Sequence, residues 1–283
     1  MNGPLIARAL DHEIAQLALR REGREEGRAL YHTLAQESPG GAWVARDEGG
    51  VVGSAFLTGS PDERYVSELF VEPGFRRRGL GTKLLAAATG DASLSLMGCV
   101  GAAQYAGLGF AARRGDAVHT PILDLAGTLP RMETLAKMAV GTYRFRTATI
   151  DALAHGGVLD ALDREVRGYA VADQHAYFAG RATGTLFELD GEAVGYTYVW
   201  PSGRLGPQVI VSSAYAVQLL GFGLATLAAT YAAAWCTMLV PSANTRVAST
   251  ALRLGLDVQT TRLLAGTAVA DPSRSIGFHH LWF

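Results

Sequence analysis

Short apolar runs bounded by turn residues predict strands over 42–46, 51–58, 66–71, 93–97 and 118–123, with Asp47-Glu48-Gly49-Gly50 as a hairpin turn. Between them, apolar residues three and four apart predict helices over 12–20 and 28–35. Leu80, Leu84, Leu85 and Ala88 form the apolar stripe of another, directly after two glycines. The first part of the chain therefore reads as a mixed α/β unit ending near Leu125.

After Ala126 the pattern changes to a short helical segment flanked by Gly and Pro, which suits a connector. A second unit then repeats the first plan. A helix over 158–166 is followed by a strand over 185–189, the turn Asp190-Gly191, and strands over 193–200 and 208–211. An Ala-rich helix and a strand over 235–240 come next, and both halves close with a short helix, a glycine and a final strand. An internal duplication is the simplest account. The expected division is 1–125, a connector at 126–144, and 145–283.

Composition adds limits. The 283 residues are 49% hydrophobic and 18% charged, enough apolar material for a real core. A net charge of -1 gives no general attraction to nucleic acid or acidic lipid, so anion binding has to be local. Cys99 and Cys236 lie far apart in apolar surroundings, and the N-terminal stretch lacks a basic segment followed by an apolar core. Both features lead us to expect a cytoplasmic protein. The uncharged stretch 205–245 raises the alternative of a membrane span at 217–240. Its Ala, Thr and Gly content, Gln218 within it and the strand-like 235–240 favour a buried helix and strand instead.

The chemistry concentrates at Arg76-Arg-Arg-Gly-Leu-Gly-Thr-Lys-Leu-Leu85, which follows the strand 66–71 and the turn Glu72-Pro73-Gly74-Phe75. That order points backbone N–H groups and a positive helix end at one spot, which suits an anion. Gly79 and Gly81 let the backbone approach a phosphate, and Thr82 can cap the helix or donate a hydrogen bond. Arg76, Arg77 and Arg78 add charge at the rim. Alone, the stretch is equally a solvated charged turn.

A second feature, Tyr105-Ala-Gly-Leu-Gly109-Phe110, follows the next strand. Together the two resemble the GNAT N-acetyltransferases, whose acetyl-CoA loop reads Q/R-x-x-G-x-G/A after a strand and whose closing motif is Y-x-x-x-G-F. Arg76, Gly79 and Gly81 occupy the loop positions. The resemblance implies an α/β fold of two tandem GNAT-like domains, each a twisted, mostly antiparallel sheet flanked by helices, with the first half active. It also implies acetyl-CoA as donor and no metal. The backbone from Arg77 through Gly79, Leu80 and Gly81 to Thr82 would cradle the pyrophosphate, Phe70 and Val71 would pair with pantetheine, and Tyr105 would protonate the departing thiolate.

The incoming ammonium needs a base, and Glu68 interrupts an otherwise apolar strand on the side expected for Val66 and Phe70. An edge glutamate meeting solvent or an arginine is the plainer alternative, and Tyr65, Asp62 or a water chain could also serve. Two departures stand out: Gly98 holds the position, seven before the tyrosine, where the family commonly has Asn, and Ala251 holds the tyrosine position of the second half. There Asn244 keeps the family spacing. Gln218-Leu-Leu-Gly221-Phe-Gly223 nominally fits the loop pattern but lacks basic neighbours and reads equally as mid-helix.

The remaining charged groups suit a bland role. The run 20–28 is a solvated face or loop that in the resembling fold borders the acceptor site. Asp160, Asp163, Arg164, Glu165 and Arg167 fit exposed helix pairing or contact with a polar acceptor. The histidines have no metal spacing, with His279 and His280 expected in a strand. The expected function is N-acetyl transfer to a primary amine of a small acceptor; a non-catalytic acyl-CoA sensor or interaction module is the alternative.

Overall fold

The computed structural model describes residues 3–21, 25–38, 40–59, 63–90, 95–170, 172–266, 271–277 and 279. The fold is α/β with mostly antiparallel strands, and the chain gathers into two compact units, one essentially 1–99 and the other Val100–His280.

The first unit runs β1 (Leu5–Arg8), α1 (Asp11–Arg21), α2 (Glu25–Gln36), β2 (Trp43–Asp47), β3 (Gly50–Gly59), β4 (Glu63–Val71), α3 (Leu80–Thr89) and β5 (Ser95–Gly101), the last straddling the division. Its strands lie in the order β1-β2-β3-β4-β5. On one face the Tyr31 ring of α2 meets Phe56 of β3 edge-on, with centroids 5.1 Å apart. On the other, Leu84 of α3 closes over Gly53, where an added Cβ would sit 2.9 Å from it. Leu80, Leu84, Leu85 and Ala88 are all buried as the spacing predicts, and each fully buried leucine contributes roughly 1.5–3 kcal/mol. Arg46 on β2 holds Glu13 of α1 through two 2.6 Å hydrogen bonds, which lower the Glu13 carboxyl below its usual range.

β4 carries an irregularity that alternation alone does not foresee. Leu57 pairs with Val66 and the next β3 residue, Phe56, with Glu68, so Ser67 is an extra residue in β4. Such a bulge re-aims the side chains beside it. Because Phe56 and Leu57 point to opposite faces, Glu68 and Val66 do too, which corrects their expected common side. Tyr65, opposite Thr58, comes onto the Glu68 face. β4 and β5 run parallel and, among the described residues, pair from Glu63–Ser95 to Val66–Gly98.

The second unit contains α4 (Tyr105–Arg114), β6 (Val118–Thr128), α5 (Met132–Val140), β7 (Arg146–Thr149), α6 (Gly156–Arg167), α7 (Ala172–Ala179), β8 (Thr183–Leu189) and β9 (Glu192–Val199). It continues through β10 (Leu205–Ile210), α8 (Ala216–Tyr231), β11 (Trp235–Pro241), α9 (Thr245–Arg253), β12 (Asp257–Gly266) and β13 (Ser275–Ile276). Its strands order as β12-β6-β11 and β13-β10-β9-β8-β7.

The division at Cys99/Val100 differs from the one expected at Leu125. The reason is β6, which pairs with β11 from Ile122 to Thr128 and with β12 from Val118 to Ala126, and so belongs with the later strands. The uncharged stretch folds as helix then strand. α8 ends at Tyr231, and Leu219, Leu220, Leu224 and Leu227 enter a core shared with Val199, Leu205 and Met238. The 19 residues from Ser213 to Tyr231 are long and apolar enough to cross a membrane, but the burial of these leucines in the core is what a core helix requires.

Candidate active site

Beyond β4 the chain makes a short 3-10 turn at Pro73–Phe75 and enters the loop before α3. Arg76 folds back, its Nε donating to the Val71 carbonyl at 2.8 Å, so this side chain closes the turn instead of reaching outward. Arg77 (φ 62°) and Gly79 (φ 76°) both adopt the left-handed region. Residues of this kind interleaved with ordinary ones aim successive N–H groups into an anion-binding concavity, and the positive end of α3 adds to it. Nothing lies within 4 Å of a Cβ built on Gly79, so the position favours glycine because of its backbone conformation and not for lack of space.

No side chain caps α3, so Thr82 does not take the capping role open to it in the sequence; it is exposed in the first turn, beside a half-buried Gly81. Leu80 is 5% exposed and faces the core, leaving only its backbone for a ligand. Arg77 and Arg78 are exposed, Arg78 lying 5.9 Å from the Phe75 ring centroid. Among the described residues, neither these two nor Arg76 forms an ion pair with a carboxylate.

Before the loop, β4 offers a second feature. Its pairing with β5 stops at Val66–Gly98, and over 67–71 the paired residues are matched to β3 alone, through Phe56–Glu68, Ala55–Leu69, Ser54–Phe70 and Gly53–Val71. Phe70 and Val71 thus sit on a strand edge that leads directly into the loop.

Glu68 is 4% exposed, so of the plainer alternative, a glutamate meeting solvent or an arginine, the solvent does not hold and the arginine does. Ser54 Oγ donates to its Oε1 at 3.1 Å, and Nε of Arg21, the last residue of α1, stands 3.4 Å from the same oxygen. The Arg21 guanidinium also lies 4.5 Å from the Phe70 ring centroid. One arginine therefore spans Glu68 and Phe70, and part of the charged run 20–28 is engaged at the candidate site. Tyr65 is buried on the same face; Asp62 falls outside the described residues. Tyr105 belongs to the other unit, where it opens α4 and is 81% exposed.

The second half departs from this plan. A 3-10 turn at Ser213–Tyr215 runs straight into α8, which places Gln218, Gly221 and Gly223 inside the helix. Gln218 ties the connector down, its Nε2 donating to the Ala139 and Tyr143 carbonyls at 3.1 and 2.8 Å and its Oε1 accepting from the Tyr143 N–H. Gly221 lets α5 approach: an added Cβ would collide with Met138 and lie 2.9 Å from the Ala139 nitrogen. The apparent loop motif is a packing seam.

Asp163 and Arg167 are also corrected, since both are buried and not exposed helix partners. Tyr196 donates to Asp163 Oδ1 at 2.6 Å, His175 Nε2 sits 3.0 Å from Oδ2, and Arg167 Nε 3.5 Å from Oδ1. Burial alone would raise the Asp163 carboxyl, but Arg167, His175 and Tyr196 override it and hold it below the usual range. His175 and Tyr196 carried no signal in the sequence, because a buried polar cluster has no fixed spacing. Cys99 is half-buried and Cys236 fully so, with burial pushing the Cys236 thiol up to about 12. His279 is buried and His280 lies outside the described residues. Among the described residues no three His, Cys, Asp or Glu side chains gather in a way that could hold a metal.

Residues 38–113 match the family model of the acetyltransferase (GNAT) domain. Among solved structures, a candidate acetyltransferase from Pyrococcus horikoshii superposes with a TM-score of 0.72 at 15% identity, covering 100% of this chain and 97% of its own. A tandem GNAT protein from the clavulanic acid biosynthesis pathway gives 0.59 at 23% identity, covering 96% and 98%. A GCN5-related N-acetyltransferase from Sphaerobacter thermophilus gives 0.58 at 15% identity, covering 96% and 98%. No curated protein matches. The match to the GNAT domain model is confined to 38–113, and over its whole length the chain shares the fold of a tandem GNAT protein.

Proposed function

We propose that the protein is an acetyl-CoA-dependent N-acetyltransferase which moves an acetyl group directly to a primary amine of a small acceptor, using its first half. The observation that carries this is the succession, along one stretch of chain, of a strand edge at 67–71 and a left-handed, cationic loop at 76–79. The edge suits the amide-bearing pantetheine arm and the loop suits a pyrophosphate.

In this reading the backbone of 77–82 holds the phosphates, with Gly79 and Gly81 permitting close approach, and Phe70 and Val71 pair with pantetheine. Bound acetyl-CoA would supply an activated thioester. Glu68, directly or through a water, takes a proton from the acceptor ammonium; the freed nitrogen forms the new bond to the carbonyl carbon as the carbon–sulfur bond breaks, and its second proton then leaves to solvent. Tyr105 is assigned the proton for the departing thiolate on its motif position and exposure. An ammonium acceptor also fits Glu68 itself, a buried carboxylate already beside one cation that is 37% exposed and able to swing away.

The same Arg21 contact favours a second reading, an acyl-CoA sensor in which Glu68 serves only structure. A panel of small primary amines incubated with acetyl-CoA, followed by mass spectrometry and thiol release, separates the two. Transfer requires N-acetylated product with stoichiometric CoA. Tight cofactor binding with no acceptor in the panel supports the sensor. The cytoplasm is the proposed location, with neither nucleic acid nor membrane as a partner.

A further inference from the structure

The two halves treat one position in opposite ways. In the first, β4 and β5 part after Val66–Gly98, and the outer stretch of β4 keeps β3 as its strand partner. In the second, β10 and β11 approach through a parallel bridge at Arg204–Thr237, and beyond it the chain's own C-terminal segment enters between them. Ser275 and Ile276 pair with Val209 and Gln208 of β10. On the other side the Gly277 N–H donates to the Leu239 carbonyl of β11 at 2.8 Å.

This segment is seated along its length. Asn244 Nδ2 donates to the Ser275 carbonyl at 3.0 Å, and Asp271 N–H donates to the Val166 carbonyl at 2.9 Å. Arg274 reaches the Val211 carbonyl at 2.8 Å while bound to Asp271 and Glu165. The Ile276 side chain is fully buried in the core against α8. Gly206 passes so close to the Gly277 carbonyl that a Cβ there would collide with it.

We propose that the gap between β10 and β11 is a binding slot for an extended, amide-bearing chain, and that 271–277 is its built-in occupant. The segment offers peptide groups to both strands, as a pantetheine-type arm would, and so closes the second half to such a ligand. The identity of the excluded ligand rests on the function proposed above; the occupancy of the slot does not. α8 agrees with this, because it starts at Ala216 with no glycine-bearing loop before it to receive a phosphate.

Two measurements test this. The first uses a double variant, Ile276→Asp with Gly277→Pro, which removes the buried side chain and the N–H given to Leu239, and an acetylated, amidated peptide Asp-Pro-Ser-Arg-Ser-Ile-Gly added in trans. The peptide should bind the variant at least about tenfold more tightly than wild type. Equal binding to both, or none to a variant that keeps its circular dichroism, overturns the proposal.

The second is hydrogen exchange on the wild type, which needs no variant to fold. Saturating acetyl-CoA should slow exchange across 67–82 and leave 205–210, 235–241 and 275–277 unchanged. Protection of 205–210 or 235–241, or faster exchange at 275–277, shows an open slot and overturns the proposal. A lack of protection across 67–82 counts against the proposed function instead, and the peptide measurement then decides the slot alone.

Discussion

Arg21 Nε stands 3.4 Å from Glu68 Oε1, which joins the end of α1 to a carboxylate sunk in β4. If an acceptor ammonium takes the place of that guanidinium, Glu68→Gln lowers kcat by roughly 10²–10⁴ and leaves acetyl-CoA affinity unchanged. Arg21→Ala removes a competing cation and lowers the acceptor KM. Steady-state kinetics with the acceptor found by the amine panel checks both; a Gln variant with wild-type kcat removes Glu68 from the chemistry.

Tyr105→Phe keeps the ring and deletes the proton. Turnover should fall by more than acetyl-CoA affinity, since a phenol that protonates the thiolate acts in the transition state and not in ground-state binding. Equal loss in both would make Tyr105 a binding residue.

Gly79 and Gly221 separate the two motif-like glycine runs. A Cβ at Gly79 meets no atom but forces an L-residue into the left-handed region, at a cost of roughly 1–2 kcal/mol. The exposed loop of Gly79→Ala can relax out of that region when empty and must return to it to bind, so acetyl-CoA binding should weaken by about five- to thirtyfold with a small change in Tm. Gly221→Ala drives a methyl into Met138 and should lower Tm while leaving affinity intact. Calorimetric titration and thermal melts of the two variants should give this crossed pattern.

Asp163 sets an acid limb of stability. Its folded carboxyl is lowered by Arg167, His175 and Tyr196 against the effect of burial. A depressed acid contributes stability that is present above the unfolded value and lost as pH falls through the folded one. Urea unfolding should show this loss below roughly pH 4. Asp163→Asn leaves the buried Arg167 without its counter-charge and should destabilise by about 3–5 kcal/mol at neutral pH. The variant should also show a flatter acid limb.

Much of this architecture is written in apolar spacing. The stripe of Leu80, Leu84, Leu85 and Ala88 fixed α3, and the hairpin at Asp47 and Gly50 fixed the β2–β3 register, because local periodicity and turn chemistry decide those elements. The loop from Arg76 to Gly79 was legible as a candidate only beside the motif at Tyr105 to Phe110, because alone it reads equally as a solvated charged turn. Non-local facts were not legible. The bulge at Ser67, which turns Val66 away from Glu68, depends on the partner strand. The placement of β6 between β12 and β11 leaves no trace in either segment alone. Two-residue β13 is too short for periodicity, and four-residue β1 shows as little. Gln218 and Gly221 imitated a loop motif, and only the packing of α5 revealed why they are there.

The most direct test of the central claim is calorimetric titration of acetyl-CoA into the wild-type chain beside its Gly79→Ala variant. The account predicts one acetyl-CoA per chain, with affinity reduced by the substitution. Absence of binding to folded wild type at millimolar acetyl-CoA, or binding that the Gly79 substitution does not change, would contradict it.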